Sequence, residues 1–215
     1  GFPGGIHPPE RKSLSNQTEI APFQPKALYL PLKQHVGKAG DLIVKVGDKV
    51  KKGQALTSAT QGLSLPIHAS TSGTVKAIGL HVSAHPSGIH EPTLVIEPDG
   101  MDTWTEKSPL TNWQQIERPT VAQHLRQMGI AGLGGAAFPT YVKASPSKPI
   151  DLLIINAVEC EPYITADDVL MRYHSEEIVT GIQILMHQVD ARHCVIAIED
   201  NKPEAIAAMQ EAAHS

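Results

Sequence analysis

The sequence predicts an α+β chain in two parts, an all-β module followed by an α/β domain. Two observations carry this expectation. Across residues 26–100, short apolar stretches (ALYLPL, LIVKV, TVKAIGL, TLVIE) alternate with clusters of Gly, Pro, Asp and Ser, the texture of a small β domain. Over residues 119–215 the pattern becomes alternating helices and strands in the order β-α-β-α, which sets strands parallel through right-handed crossovers. Between the two, residues 101–118 carry both tryptophans and little periodicity, and read as a linker. Residues 1–25 are polar and rich in Pro and Gly, and read as an extended arm that wraps a neighbour or is partly disordered.

Each element has a local reason. In the β half, Gly47-Asp48 and Gly53 break strands whose apolar residues alternate, and Ser72-Gly73 makes a second turn before TVKAI. In PTVAQHLRQMGI, Val121, Leu125 and Met128 recur at helical spacing, Pro119 suits a helix start and Gly129 a helix stop. IDLLIINAV, residues 150–158, is a continuous apolar run, as in a strand buried on both faces. Thr165 and Asp168 have capping-box spacing, and Ile178, Ile182, Leu185 and Val189 line one face of the helix after SEE. HCVIAIE, residues 193–199, is the second buried strand, and Pro203 in NKPEA opens a last helix. Parallel strands send the loops after Ala157 and after Glu199 out of one sheet edge, where open α/β sheets bind ligands.

Bulk composition excludes several classes. A formal net charge of −4, scattered Lys and Arg and 4% aromatic residues give no nucleic-acid footprint. No apolar run approaches the roughly 20 residues needed to cross a bilayer, and no signal peptide is visible. Cys160 and Cys194 are too far apart for a metal knuckle, and a reducing, cytosolic compartment is the default. Cys160 sits between two glutamates, which is not the electropositive setting of a reactive thiol. His81, His85 and His90 lack an acidic or thiol ligand at standard spacing and read as a surface loop, so no metal site is expected. Both ends look cut, so a piece of a longer protein is expected.

The chemistry-bearing stretch is GIAGLGGAAFPTYVK, residues 129–143. It fits G-x-G-x-x-A through Gly132, Gly134 and Ala137, but it follows a helix, so the ordinary strand-loop-helix dinucleotide motif does not apply. An amide-rich loop that ends on Lys143 still suits an anion, because backbone N–H groups are fixed donors. The second chemical stretch is NAVECEPYITADD, residues 156–168, at the end of the first strand; the third is IEDN, residues 198–201, at the end of the second. The glycine bend and the acid-bearing turn, represented by Gly134 and Glu159, are expected to share one pocket.

The motifs carry resemblances. G-D-x-V-x-x-G-Q (residues 47–54) and S-G-T-V (residues 72–75) resemble the biotinyl/lipoyl-like barrel-sandwich hybrid family. Carriers of that family place the modified lysine eleven residues before the second motif's glycine, which is Gly62 here, and no lysine occurs between Lys52 and Lys76. A swinging-arm carrier is therefore excluded, leaving a rigid docking or packing module. GLGGAAFPTYVK and NAVECEP resemble the flavin-binding subunit of respiratory complex I, and with GGIHPPERK and PLKQHVG the whole chain resembles the C-subunit family of the Rnf (Rsx) ion-translocating electron-transport complexes. The resemblance implies a truncated Rossmann-like FMN-binding domain after the β module.

It further implies that Gly132, Gly134, Gly135 and Lys143 approach FMN, with Phe138 in the nucleotide-stacking wall. Asn156, Glu159 and Glu161 would contact flavin and NAD(H) hydroxyl and carboxamide groups, and Glu199 and Asp200 are carried over from IEDN. Val158 stands where the complex I pattern has aspartate, Cys160 where it has glycine, and Ala137 and Tyr141 where glycines are usual. By the same resemblance, two 4Fe–4S clusters would have ligands outside this chain, and the partners would be the membrane and iron–sulfur subunits and a ferredoxin-type carrier. The complex would couple ferredoxin–NAD(H) chemistry to ion movement, with this subunit peripheral on the cytoplasmic side of the bacterial inner membrane. The alternative reading is a non-catalytic scaffold like the A-subunit of the sodium-pumping quinone reductase, without a working flavin site. The present piece by itself is expected to hold FMN poorly and to be inactive.

Overall fold

A computed structural model describes residues 6, 8–17, 19–133 and 136–214. The chain divides into two compact units, Phe23–Pro146 and Gly1–Pro22 with Ser147–Ser215.

The first unit is built on strands β1 (Leu28–Pro31), β2 (Asp41–Leu42), β3 (Lys49–Val50), β4 (Thr57–Ser58), β5 (Gly73–Val82) and β6 (His90–Pro98). Four of them form an antiparallel sheet in the order β1-β6-β5-β3, and β2 pairs with β4. Val50, Leu56, Ile67, Val75, Leu94 and Ile96 fill its core. Each such side chain contributes about 1.5–3 kcal/mol when fully buried. The motif glycines have steric reasons. A methyl on Gly73 would lie 2.2 Å from the Glu97 carbonyl oxygen on β6. Gly53 has φ +77°, and a methyl there would meet the Trp104 indole at 2.8 Å. Asp48 closes its own turn by accepting the Lys45 amide at 3.0 Å.

Part of the expected linker is bound to this unit. The Lys52 amide donates to Thr103 and the Thr105 amide to Lys52, both at 2.9 Å, which lays Trp104 across Gly53. The Lys52 and Lys107 ammonium groups lie 5.0 and 4.3 Å from the indole centroid. Helix α1 (Arg118–Gln127) also belongs here, with Val121 and Ala122 buried and Pro119 in its first turn, as expected. The short helix α2 (Thr140–Lys143) follows the glycine-rich loop. The Arg126 guanidinium donates to the carbonyls of Thr60 (2.7 Å) and Ser64 (3.3 Å), and the Tyr141 hydroxyl to that of Gly62 (3.3 Å). The hairpin that carriers use for their lysine is thus tied down at its tip.

In the second unit, β7 (Leu152–Ala157) and β8 (His193–Ile198) pair in parallel, with Ala157 opposite Ile198. Helices α3 (Ala166–Tyr173), α4 (Ser175–Val189) and α5 (Pro203–His214) connect and follow them. Ala157, Met171, Ala205 and Met209 form the core, with Ile178, Ile196 and Ile198 packed against it. The strands are not buried on both faces as expected. Side chains of one parity face the core, whereas Leu152, Ile154 and Val195 remain 44%, 61% and 50% exposed. Period-2 alternation decides this: only the sheet face that the helices cover is dry.

Candidate functional site

The glycine-rich loop is a short excursion closed at its base. Ala131 bridges Pro139, the Gly132 amide donates to the Phe138 carbonyl at 2.9 Å, and the Thr140 amide to that of Ile130 at 3.0 Å. Gly129 ends α1 with φ +69° and packs against the Pro66 carbonyl and the His68 ring. Phe138 is half-buried and Lys143 exposed at the end of α2. A methyl built on Gly132 would lie 3.7 Å from the Lys143 ammonium nitrogen, an ordinary contact that puts the cation beside the loop. Residues 129–133 and Ala137 line a cleft of about 510 Å³, faced by Gln34, His35, Leu65, Pro66 and Ile67. Gly134 and Gly135 lie outside the described residues, and with them the expected meeting of Gly134 and Glu159. Ala137 takes the left-handed conformation, φ +41°, at the position where the resembled motif has glycine. A non-glycine residue there carries strain of about 1–2 kcal/mol.

The acid-bearing turn belongs to the other unit. Asn156, Glu159 and Glu161 lie at or after the carboxyl end of β7, Glu199 and Asp200 follow β8 at the same sheet edge, and Lys202 links Glu159 with Glu199. Asn156 is exposed, and its side-chain oxygen accepts the Val158 amide at 3.1 Å. Glu161 and Asp200 are exposed. Glu159 is only 3% exposed. Its carboxylate accepts the amides of Asp167 (2.7 Å) and Asp168 (3.4 Å), the first turn of α3. The helix is therefore capped by Glu159 and not by the expected Thr165–Asp168 box. Thr165 makes no capping bond, and Asp168 pairs with Arg172 at 3.4 Å. A carboxylate at that end satisfies orphan N–H groups and complements the helix dipole.

Two lysines that sequence reasoning missed complete the turn. Lys202 is 3% exposed. Its ammonium pairs with Glu199 and donates to the Glu159 carbonyl at 3.3 Å. Lys12, from the N-terminal arm, donates to the carbonyls of Glu159, Ile164 (2.8 Å) and Glu161 (3.2 Å). The runs GGIHPPERK and IEDN contain or adjoin these lysines, yet neither residue type nor spacing says which carbonyls they seek. Burial, and the Glu159 and Glu161 carboxylates, push the Asp167 carboxyl above its ordinary range, while Lys202 and Lys12 oppose this.

The donor sets suit a nucleotide in part. Lys143 beside the glycine-rich loop offers a cation, the charge an anion needs, while the Gly132 amide is engaged at the base of the loop. Asn156 and Glu161 offer exposed polar groups for hydroxyl or amide partners. Residues 1–101 match the model described as the RnfC barrel sandwich hybrid domain, and residues 125–215 the Nuo51 FMN-binding domain. The chain is 54% identical over 214 residues to the C-subunit of the ion-translocating oxidoreductase complex of Vibrio cholerae serotype O1, covering 99% of this chain and 28% of that protein.

The chain belongs to the RnfC family. The proteins of the same description from Serratia proteamaculans and Haemophilus influenzae (strain PittEE) are each 50% identical, over 97% and 98% of this chain. The chain spans 30% and 33% of those relatives' lengths. Its architecture is accordingly a barrel-sandwich hybrid module followed by a mixed α/β FMN-binding-domain region. Among the described residues, no group of three or more His, Cys, Asp or Glu is arranged to hold a metal ion, and Cys160 and Cys194 are free. Among them, too, no helix is long and apolar enough to cross a membrane.

Proposed function

We propose that the intact protein is a peripheral electron-transfer subunit whose α/β domain binds FMN and NAD(H), in a complex that couples ferredoxin–NAD(H) chemistry to ion translocation. It would sit on the cytoplasmic side of the bacterial inner membrane, beside membrane and iron–sulfur subunits. The observation that carries this reading is the glycine-rich loop with Lys143 beside Gly132, within a segment that matches an FMN-binding domain. FMN, when bound, would convert hydride transfer into single-electron steps. Gly134, Gly135 and Lys143 would hold its phosphate, with Gly132 at the base of the loop, its amide bonded to the Phe138 carbonyl, and Phe138 at the wall. Asn156 and Glu161 would take hydroxyl and carboxamide groups. Glu159 would serve by fixing the turn, its carboxylate being engaged at α3. Glu199 and Asp200 would line the same strand edge, the first through its pairing with Lys202.

The test uses the intact protein. Bound FMN and its reduction by NADH are measured for wild type, Lys143→Ala and Glu161→Gln. We expect Lys143→Ala to weaken FMN binding about tenfold, the size of one lost charge-assisted hydrogen bond. Glu161→Gln should slow reduction at subsaturating NADH. A wild type that retains no FMN, or variants equal to it in both measurements, overturns the reading. The engaged Glu159 and the strained Ala137 favour the second reading, a non-catalytic scaffold, which that result would install.

A further inference from the structure

We propose that Lys12 is a positioning residue for the nucleotide site: its ammonium gathers three main-chain carbonyls of the 159–164 turn and thereby fixes how Glu161 is presented. The inference rests on the nucleotide-binding reading above for its functional part only. Its geometric part stands on the bonds themselves. The carbonyls of Glu159, Glu161 and Ile164 converge on Lys12 Nζ, and that of Glu159 also receives Lys202 Nζ from the β8–α5 loop. Carbonyl oxygens turned toward one point repel unless a cation sits among them. A compact ammonium with three donors answers three acceptors, whereas a planar guanidinium fork does not.

The rest of the arm secures the same turn. The Ser15 hydroxyl donates to the Tyr163 carbonyl at 2.7 Å, and the Tyr163 amide to the Glu10 carbonyl at 2.8 Å. The Arg11 guanidinium lies 6.0 Å from the Tyr163 ring centroid, and Asn201 donates to the Glu10 carboxylate at 2.9 Å. Tyr163 itself has φ +69°, a conformation a bulky residue keeps only when its surroundings over-determine it. The arm supplies that determination. A turn held in advance spares a ligand the ordering entropy of its loop.

The experiment compares full-length wild type with Lys12→Ala, Lys12→Arg and Ser15→Ala. NADH and FMN affinities and amide hydrogen exchange over residues 158–168 are measured, each with and without n-propylammonium. We expect Lys12→Ala to weaken NADH or FMN binding about tenfold and to speed exchange in the turn. Lys12→Arg should behave like Lys12→Ala. n-Propylammonium should partly restore both readouts in Lys12→Ala, whereas tetramethylammonium, a cation without N–H donors, should not. Unchanged exchange in Lys12→Ala, or equal rescue by the two cations, overturns the clamp. If Lys12→Ala does not fold, Ser15→Ala decides, since loss of its bond to Tyr163 should speed exchange at the same amides. If wild type binds neither NADH nor FMN, the nucleotide reading fails while exchange and amine rescue still judge the clamp. Restored exchange with unrestored affinity limits Lys12 to holding the chain and removes its functional role.

Discussion

Glu159 shows how a residue's type can be read correctly while its work is not. The motif around it points to a ligand-facing acid, yet its carboxylate lies against two helix amides, six residues before Thr165 and so outside any local capping rule. Lys202 and Lys12 meet the carbonyl of the same residue. Replacing Glu159 with Gln keeps an acceptor but removes the charge at the helix start, and should cost about 1 kcal/mol. Urea unfolding at pH 7 measures this, and an unchanged midpoint would refute the cap. Lys12 carries no local signal, because its three acceptors come from residues some 150 positions away along the chain, and Lys202 pairs locally with Glu199 but reaches the Glu159 carbonyl across 43 positions. Such pairings are a product of the fold.

Among the elements, the β hairpins are the most legible, since their glycines answer to crowding that any barrel-sandwich must meet. Gly73→Ala should destabilise the first unit by about 2 kcal/mol or more, because its methyl meets main chain that cannot yield. Gly79→Ala, on the same strand with open space around it, should change stability by under about 1 kcal/mol. Thermal unfolding of the pair checks the contrast, and equal losses would reject it. His68 gives the unit a pH dependence. Burial holds its pKa below the ordinary histidine value, although a hydrogen bond with the Gln127 backbone opposes this. A depressed folded pKa means the unfolded chain takes up the proton first. Stability is then full above about pH 6.5 and falls as pH drops through the folded pKa. His68→Gln should flatten the unfolding midpoint between about pH 5 and 7, and a slope equal to wild type would exclude His68 as its source. By contrast, the buried-strand expectation for β7 and β8 misses because a continuous apolar run does not say how many faces are covered.

At the level of the whole molecule, the two compact units do not follow the composition change along the sequence. The arm of residues 1–25 reads as extended, wrapping a neighbour or partly disordered, without saying which neighbour, and Gly1–Pro22 groups with Ser147–Ser215 through polar bonds. Helix α1 reads by its period as part of the α/β half, yet Arg126 and Gly129 bind it to the β unit. The open sheet face is a whole-chain property too. Ile154→Thr should cost under about 1 kcal/mol in this chain, since 61% of that residue already meets water. A loss as large as that of a core position, read by urea unfolding, would contradict the exposure. The sequence by itself determined the two-part α+β order, the strand and helix types, and which short runs carry polar chemistry, because periodicity and turn residues are local. Only the tertiary structure decided that the acid-bearing turn is wrapped around two lysines and that its buried glutamate starts a helix. Hydrogen bonds to backbone carbonyls and amides depend on where the chain returns, and no residue type records that.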